Sequence, residues 1–367
     1  MRSKTLKFAS VALAAGLALG ACSDDDDPET TDTTEDGGSD TTEAPSDGGE
    51  VGESEGDIVI TGSSTVAPIS SLIADVFNDE GSPANITVDD PGTGDGFATF
   101  CEGDADISDA SRPINDEEAA ACEAAGVEFY ELEVAFDGLT VMTSPENEAV
   151  ECLNLADLYA LVGPESEGFS SWSDGQEIAA ALGSSTELPD APLDVTAPGT
   201  ESGTYDAFAE LALGDPSEAR LEAGAITEDQ VETIRSDYSS QADDNAIISG
   251  IEGSDSSFGW VGFAFAEGAG DAIKEIEVDG GDGCVAPSIE SIADGSYPLS
   301  RSLYIYVSAA SVEENPAVAE YVDFYLGDEA LGALVEEAGY VPLPEDRRSA
   351  TVETWNARTT GSALLEG

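Results

Sequence analysis

The chain has 367 residues, with 78 acidic side chains against 11 basic ones, no histidine, and a formal net charge of -67. So negative a chain excludes nucleic acid as a partner, because a phosphate backbone needs the opposite field. The lack of histidine excludes a Ser–His triad, and the lack of any CxxC spacing leaves zinc without its usual ligands. No metal or cofactor is expected.

Arg2, Lys4 and Lys7 precede an apolar run from Phe8 to Leu19, which ends Leu19-Gly20-Ala21-Cys22. A basic start, a short apolar segment and small residues before the cut describe a secretory signal over residues 1–21. The run is too short for a membrane-spanning helix. Cysteine directly after Gly-Ala resembles a bacterial lipobox, so Cys22 is expected to be lipidated, palmitate included, and to anchor an extracytoplasmic protein to the cell membrane. Loss of the three leading cations takes the mature chain from -67 to -70. Residues 22–56 are almost wholly Asp, Glu, Thr, Ser, Gly and Pro, the composition of a disordered, self-repelling tether. Carboxylates remain dense through the rest of the chain, where Lys274 is the sole lysine, which predicts adaptation to high salt.

Short apolar strands alternate with helical patterns from Asp57 onward, which predicts α/β layers with mainly parallel strands. The first lobe opens with the strand Ile58-Val59-Ile60 and a helix from Val66 to Phe77. A strand Ile86–Val88 follows, then a helix ending near Cys101, a short strand over 105–108 and a helix from Asp116 to Ala124. Strands at Val127–Ala135 and Leu139–Met142 flank Asp137-Gly138, which suits a turn. A second lobe is expected over 139–299, with helices at Leu155–Leu161, Tyr205–Leu213 and Asp244–Ile251, and strands at Leu193–Thr196 and Gly259–Gly262. The chain then returns over 300–367 to complete the lobe begun at 57–138, through a strand Leu303–Val307 and helices between Pro316 and Ala338. Four cysteines beyond Cys22 allow three disulfide pairings in an exported protein. Cys101 and Cys122 lie close together within one predicted unit and are expected to pair, leaving Cys152 for Cys284.

Three strand-to-helix turns share one character: Gly62-Ser63-Ser64-Thr65, Thr93-Gly94-Asp95-Gly96 and Glu201-Ser202-Gly203-Thr204. A helix N-terminus leaves amide donors without partners and carries the positive end of the dipole, and glycine lets a ligand approach the backbone closely. One such turn is ordinary capping. Three of them, all at carboxyl ends of strands and spread over two lobes, point to an anion held between the lobes. Arg112, in the loop after a strand, adds a planar guanidinium suited to two oxygens of a tetrahedral oxyanion.

Gly62-Ser63-Ser64-Thr65-Val66, Asp106-Ile107-Ser108-Asp109-Ala110-Ser111-Arg112-Pro113-Ile114, Ala135-Phe136-Asp137-Gly138-Leu139, Pro198-Gly199-Thr200-Glu201-Ser202-Gly203-Thr204, Asp243-Asp244-Asn245 and Tyr297-Pro298-Leu299-Ser300-Arg301 appear in that order. Together they resemble the phosphate-binding lipoproteins of PstS-type ABC importers, close to the SphX-like branch. The resemblance implies a two-lobed, type II periplasmic-binding-protein fold, with inorganic phosphate in the cleft and delivery to an ABC permease. It also implies that Ser64, Thr65, Val66, Ser111 and Arg112 contact the anion from one lobe and Ser202, Gly203 and Thr204 from the other. Ser63, Gly94 and Asp95 are possible further contacts, and a monomer is expected. The disulfide pairing agrees with the resemblance.

Two departures from the family stand out. Many relatives carry an arginine shortly before Ser-Gly-Thr, where this chain reads Pro198-Gly199-Thr200-Glu201, so Arg112 is expected to supply the guanidinium alone. Asp95 stands where relatives often have Gly or Ser. Selection of phosphate over sulfate needs a group that accepts the proton phosphate still carries, since a mismatched polar group rejects a ligand strongly. Asp137 is the expected acceptor, with Asp106 and Asp109 as alternatives. Competing readings are a binding protein for sulfate or a phosphonate, and a secreted phosphoesterase. Against an enzyme, a Ser–Lys dyad would need Lys274, far in sequence from any serine turn, and no Walker lysine follows the glycine-rich turns.

Overall fold

The computed structural model describes residues 52–200 and 202–362. The signal, Cys22, most of the expected tether and Glu201 lie outside the described residues. The last part of the expected tether is docked on the fold: the Ser54 amide and hydroxyl both donate to Glu320, at 3.0 and 2.7 Å.

The first lobe begins β1 (Asp57–Gly62), α1 (Ala67–Asp79), β2 (Asn85–Asp89), α2 (Thr93–Cys101), β3 (Ile107–Ala110) and α3 (Asp116–Ala125). Ile58 and Ile60 of β1 are fully buried, as are Ile69, Ile73 and Phe77 along one face of α1. Pro68 opens that helix, where a missing N–H costs nothing. α3 is fixed by a reciprocal cap in which Asn115 accepts from the Glu118 amide and Glu118 accepts from the Asn115 amide.

β4 (Phe129–Thr143) is one continuous strand of 15 residues. The expected turn at Asp137-Gly138 is absent, because both residues are held in a ladder with Arg301 and Ser300. Through Gly138 this strand pairs with the first-lobe side of the sheet, and from Leu139 it pairs with the second.

The second lobe carries β5 (Cys152–Asn154), α4 (Leu155–Val162), α5 (Gln176–Ala181), β6 (Asp194–Pro198), α6 (Gly203–Glu222), β7 (Ser239–Gln241), α7 (Asp244–Glu252) and β8 (Ser257–Gly262). It continues with α8 (Phe263–Ala269), β9 (Lys274–Glu275), β10 (Glu277–Asp279), β11 (Cys284–Val285) and α9 (Ile289–Ala293). The chain returns through β12 (Ser300–Ser308), α10 (Ala309–Glu314), α11 (Pro316–Tyr325), a π-helical turn at Ala330–Leu334, α12 (Val335–Glu337), β13 (Val341–Pro342) and α13 (Glu345–Ala357).

One sheet runs β2-β1-β3-β12-β4-β8-β6-β7, with β13 and β9 also on β4, and a small sheet runs β11-β10-β5. The outer pairs β1–β2, β1–β3, β6–β7 and β6–β8 are parallel as expected. The central pairs β3–β12, β4–β12 and β4–β8 are antiparallel, since β12 carries the chain back beside the strand by which it left. One apolar core gathers Ile60, Ile73, Phe77, Ile305 and Trp355, and another gathers Trp172, Phe208, Trp260 and Tyr297. The result is a mixed α/β, two-lobed architecture in which β4 runs from one side of the sheet to the other. Both expected disulfides are present, Cys101–Cys122 tying α2 to α3 and Cys152–Cys284 tying β5 to β11.

Two helices depart from expectation. α6 runs on past Leu213 through Pro216 to Glu222, because Ala212, Leu213, Pro216 and Ser217 are all buried and packing outweighs local propensity. α13 had no apolar stripe to announce it: only Thr351 and Trp355 are buried, and it is held by Thr351 donating to the Glu133 carbonyl at 2.8 Å and Trp355 to Asp323.

Candidate functional site

The first turn is shaped by Gly62, which sits at φ 138°, a conformation that L side chains rarely adopt. A Cβ there would lie 2.1 Å from the Asp109 carbonyl oxygen, which instead accepts from the Ser63 amide at 2.9 Å. This locks the first turn to the end of β3. The Thr65 amide donates to Ser63 Oγ at 3.1 Å and the Val66 amide to the Ser63 carbonyl at 3.2 Å, so both amides are engaged within the turn. The hydroxyls of Ser64 and Thr65 are what the turn presents to the rest of the cleft.

Those hydroxyls line a cavity of about 360 Å³. Ser63, Ser64, Thr65, Gly94, Ser111 and Arg112, expected from sequence, all border it, together with Thr93. Thr93 Oγ1 and Ser111 Oγ stand 3.0 Å apart, joining the start of α2 to the loop after β3. From the second lobe come Tyr205, Asp206 and Glu210 of α6 and Glu232, and from β12 comes Arg301. An adjoining cavity of about 530 Å³ is lined by Ser202, Gly203 and Thr200 with Ser64 and Asp206. Ser64 Oγ donates to Asp206 Oδ2 at 2.8 Å, so this hydrogen bond stands where the two cavities meet. Val66, Thr204, Asp95 and Asp137 border neither cavity, and Thr204 gives its amide to Ser202 Oγ at 3.2 Å.

The cleft has two guanidiniums, where one was expected. Arg112 makes a double contact with Glu118, at 2.8 and 2.7 Å. Glu118 is the residue that caps α3, so its carboxylate is already fixed beside Arg112, and this hydrogen-bonded pair holds the Arg112 charge firmly on. Arg301 was absent from the expected site although it closes one of the shared motifs. Its side chain is only 9% exposed. It donates to Thr65 Oγ1 at 3.0 Å, contacts Glu210, and faces Asp137, with Nε 3.5 Å from Asp137 Oδ2. That spacing is too long for a hydrogen bond, and both Nε and Oδ2 are buried with no hydrogen-bond partner. The signal that could have found Arg301 is its position: in a chain this poor in bases, it sits at the return crossing between the lobes.

Asp137 therefore lies against Arg301, away from the cavity lining. Burial pushes its carboxyl above the usual range, and Arg301 opposes that shift. Asp109 accepts from Ser70 at 3.0 Å, and Ser70 also meets the Tyr325 hydroxyl at 3.3 Å. Burial pushes Asp109 up to about 8, against the pull of the Ser70 bond, so it is largely neutral at pH 7. Asp106 Oδ2 accepts from the Val59 amide at 2.9 Å, a ladder-end contact. Among the described residues one trio groups metal-ligating atoms, Cys152, Glu277 and Cys284, and its two sulfurs are joined in the disulfide.

A sequence model for the PBP superfamily domain matches residues 31–329. The chain belongs to the PBP superfamily, in its SphX and PstS group. It is 37% identical over 309 residues to Protein SphX of Synechocystis, covering 84% of each chain. It is 32% identical over 295 residues to the phosphate-binding protein PstS of Staphylococcus aureus, covering 80% of this chain and 79% of that one. A crystal structure of a possible phosphate-binding protein from Planctomyces limnophilus superposes with a TM-score of 0.73 at 34% identity, covering 84% of this chain and all of that one. An ABC-type phosphate transport receptor from Vibrio cholerae, 22% identical with a TM-score of 0.55, shares the fold.

Gly203 lets the start of α6 approach the first turn closely. A Cβ on it would stand 2.8 Å from the Ser64 carbonyl oxygen, a backbone atom that cannot swing aside. Gly203→Ala is expected to hold the cleft slightly open and weaken anion binding by about tenfold, while leaving the melting temperature nearly unchanged. Titration calorimetry and a melting curve on the same sample would check both.

Proposed function

We propose that this protein captures inorganic phosphate outside the cytoplasmic membrane and delivers it to the permease of an ABC importer. The observation that carries the reading is the cavity built by both lobes of a SphX- and PstS-group chain, lined by hydroxyls, a glycine-rich helix start and two guanidiniums. Ser64, Thr65, Ser111 and Arg112, with Arg301, are the donors from the first-lobe side. Ser202 and Gly203 at the start of α6 close on the anion from the other side, and Asp137 holds Arg301. The lobe boundaries fall at 138/139 and 299/300, in keeping with the change of partners along β4 between Gly138 and Leu139. The role is binding without turnover, by a monomer. A signal over residues 1–21 and a lipid on Cys22 would place it at the membrane surface, and no helix among the described residues is long and apolar enough to cross a membrane.

Calorimetry of the mature protein in molar salt is expected to show one site that binds phosphate and arsenate and rejects sulfate by at least a hundredfold. Sulfate binding as tight as phosphate would reassign the ligand. Release of phosphate from a generic phosphate ester would reassign the class.

A further inference from the structure

The first lobe holds a further cavity, of about 290 Å³, that shares no lining residue with either cavity of the cleft. Glu131 and Glu133 of β4 and Tyr304 of β12 border it from the sheet, Arg347, Thr351 and Thr354 from α13, and residues 359–362 from the chain beyond that helix. Glu133 stands directly opposite Tyr304, and Glu131 opposite Tyr306, because the register between β4 and β12 shifts between Leu303 and Tyr304. Such a shift re-aims side chains and is over-represented beside sites.

Both carboxylates are fixed before any ligand arrives. Arg347 makes a double contact with Glu133, whose side chain is 9% exposed. The Tyr306 hydroxyl donates to Glu131 Oε2 at 2.9 Å, and among the described residues no other hydrogen bond falls on that carboxylate. Tyr304 is 6% exposed, and burial keeps its phenol neutral. No carboxylate or carbonyl among the described residues accepts from the Tyr304 hydroxyl. Arg347 already answers one of the two acids, and molar salt would screen the other, so charge alone would not hold an organic cation here. Fixed acceptors, a phenol and threonine hydroxyls suit groups that both donate and accept, which is the chemistry of an alcohol. The Tyr304 ring and the threonine methyls suit the C–H faces between such groups.

We propose that this cavity binds a neutral polyhydroxylated molecule the size of one sugar ring, with Glu131 and Glu133 accepting from its hydroxyls and Tyr304 donating to it. The volume fits one such unit, since small-molecule sites begin at roughly 300 Å³. The assignment does not depend on which anion the cleft takes.

The test is saturation-transfer NMR and calorimetry on the mature protein in molar salt, with phosphate present, using glucose, glycerol and ethylammonium as probes. Glu131→Ala removes an acceptor, and Ala350→Trp fills the cavity from an exposed position on its lining, with melting curves to confirm folding. Glucose is expected to bind at one saturable site with a Kd of about 1–10 mM, and glycerol more weakly. Each variant is expected to weaken glucose by at least about tenfold and to leave phosphate affinity unchanged. Absence of binding by glucose and glycerol up to about 100 mM would overturn the inference. So would glucose binding that both variants leave intact, or that appears only when phosphate is withheld, since the sugar would then lie elsewhere. Ethylammonium bound in preference to glucose would make this a cation site and overturn the assignment of a neutral ligand.

Discussion

Replacing Arg301 with alanine is expected to weaken phosphate binding by at least about a hundredfold, ~3 kcal/mol, whereas Arg112→Ala costs less than about tenfold. The contrast follows from what each guanidinium touches. Arg112 is 36% exposed and spends its fork on Glu118, so only part of its charge serves the cavity. Arg301 is buried at the crossing of the lobes and reaches Thr65 on the first turn and Glu210 on α6 at once. A charge-assisted contact in so dry a place is worth more than one in solvent. Loss of the Arg301 guanidinium also strands Asp137, whose side chain is 5% exposed, without its cation. A stability loss of about 3 kcal/mol is therefore expected for Arg301→Ala. Adding Asp137→Asn removes the stranded charge, so the double variant should recover most of that stability and none of the affinity. Melting curves and titrations of the three variants separate the two effects. Equal losses of affinity for Arg301→Ala and Arg112→Ala would show that the two arginines share the anion evenly.

The second large effect is salt. With a mature charge of -70, self-repulsion opposes the compact state in dilute buffer. At 1 M ionic strength the screening length falls to about 3 Å, which silences carboxylates on neighbouring turns while leaving short buried pairs such as Arg301–Asp137 in force. The mature protein is expected to melt at least roughly 10 °C higher in molar salt than in dilute buffer, a gain of several kcal/mol for a chain of this size. A melting temperature that is equal or higher in dilute buffer would remove salt adaptation from the account. The same screening lets so acidic a protein hold an anion, because only groups within contact distance of the ligand still act on it.

Much of the fold could be read from residue order. The helices at Ala67–Asp79 and Asp116–Ala125 and the strands at Ile107–Ala110 and Ser257–Gly262 lie within a few residues of their expected places, since each has an apolar face or a capping residue to announce it. Asp137-Gly138 misled because a dipeptide common in turns is also acceptable in a paired strand, and the pairing partner lies more than 150 residues away. α13 was invisible because only two of its side chains are buried and it is held by long-range hydrogen bonds from Arg347, Thr351 and Trp355. At the site, the serine-rich turns were legible because their chemistry is local. Arg301, Asp206 and Glu210 were not, because one sits on a returning strand and the other two face inward from a helix that looks solvent-facing in sequence. Arg112 drew attention by standing in the loop after a strand in a chain poor in bases, and nothing short of the folded chain shows that Glu118, six residues on, takes its fork.

The most direct test of the clamp is a crystal structure of the mature protein grown with phosphate. The account predicts one tetrahedral anion touching Ser64, Thr65, Arg301 and the Ser202-Gly203 start of α6 together. Phosphate bound elsewhere, or bound to one lobe with Arg301 still turned to Glu210 and Thr65, would contradict it.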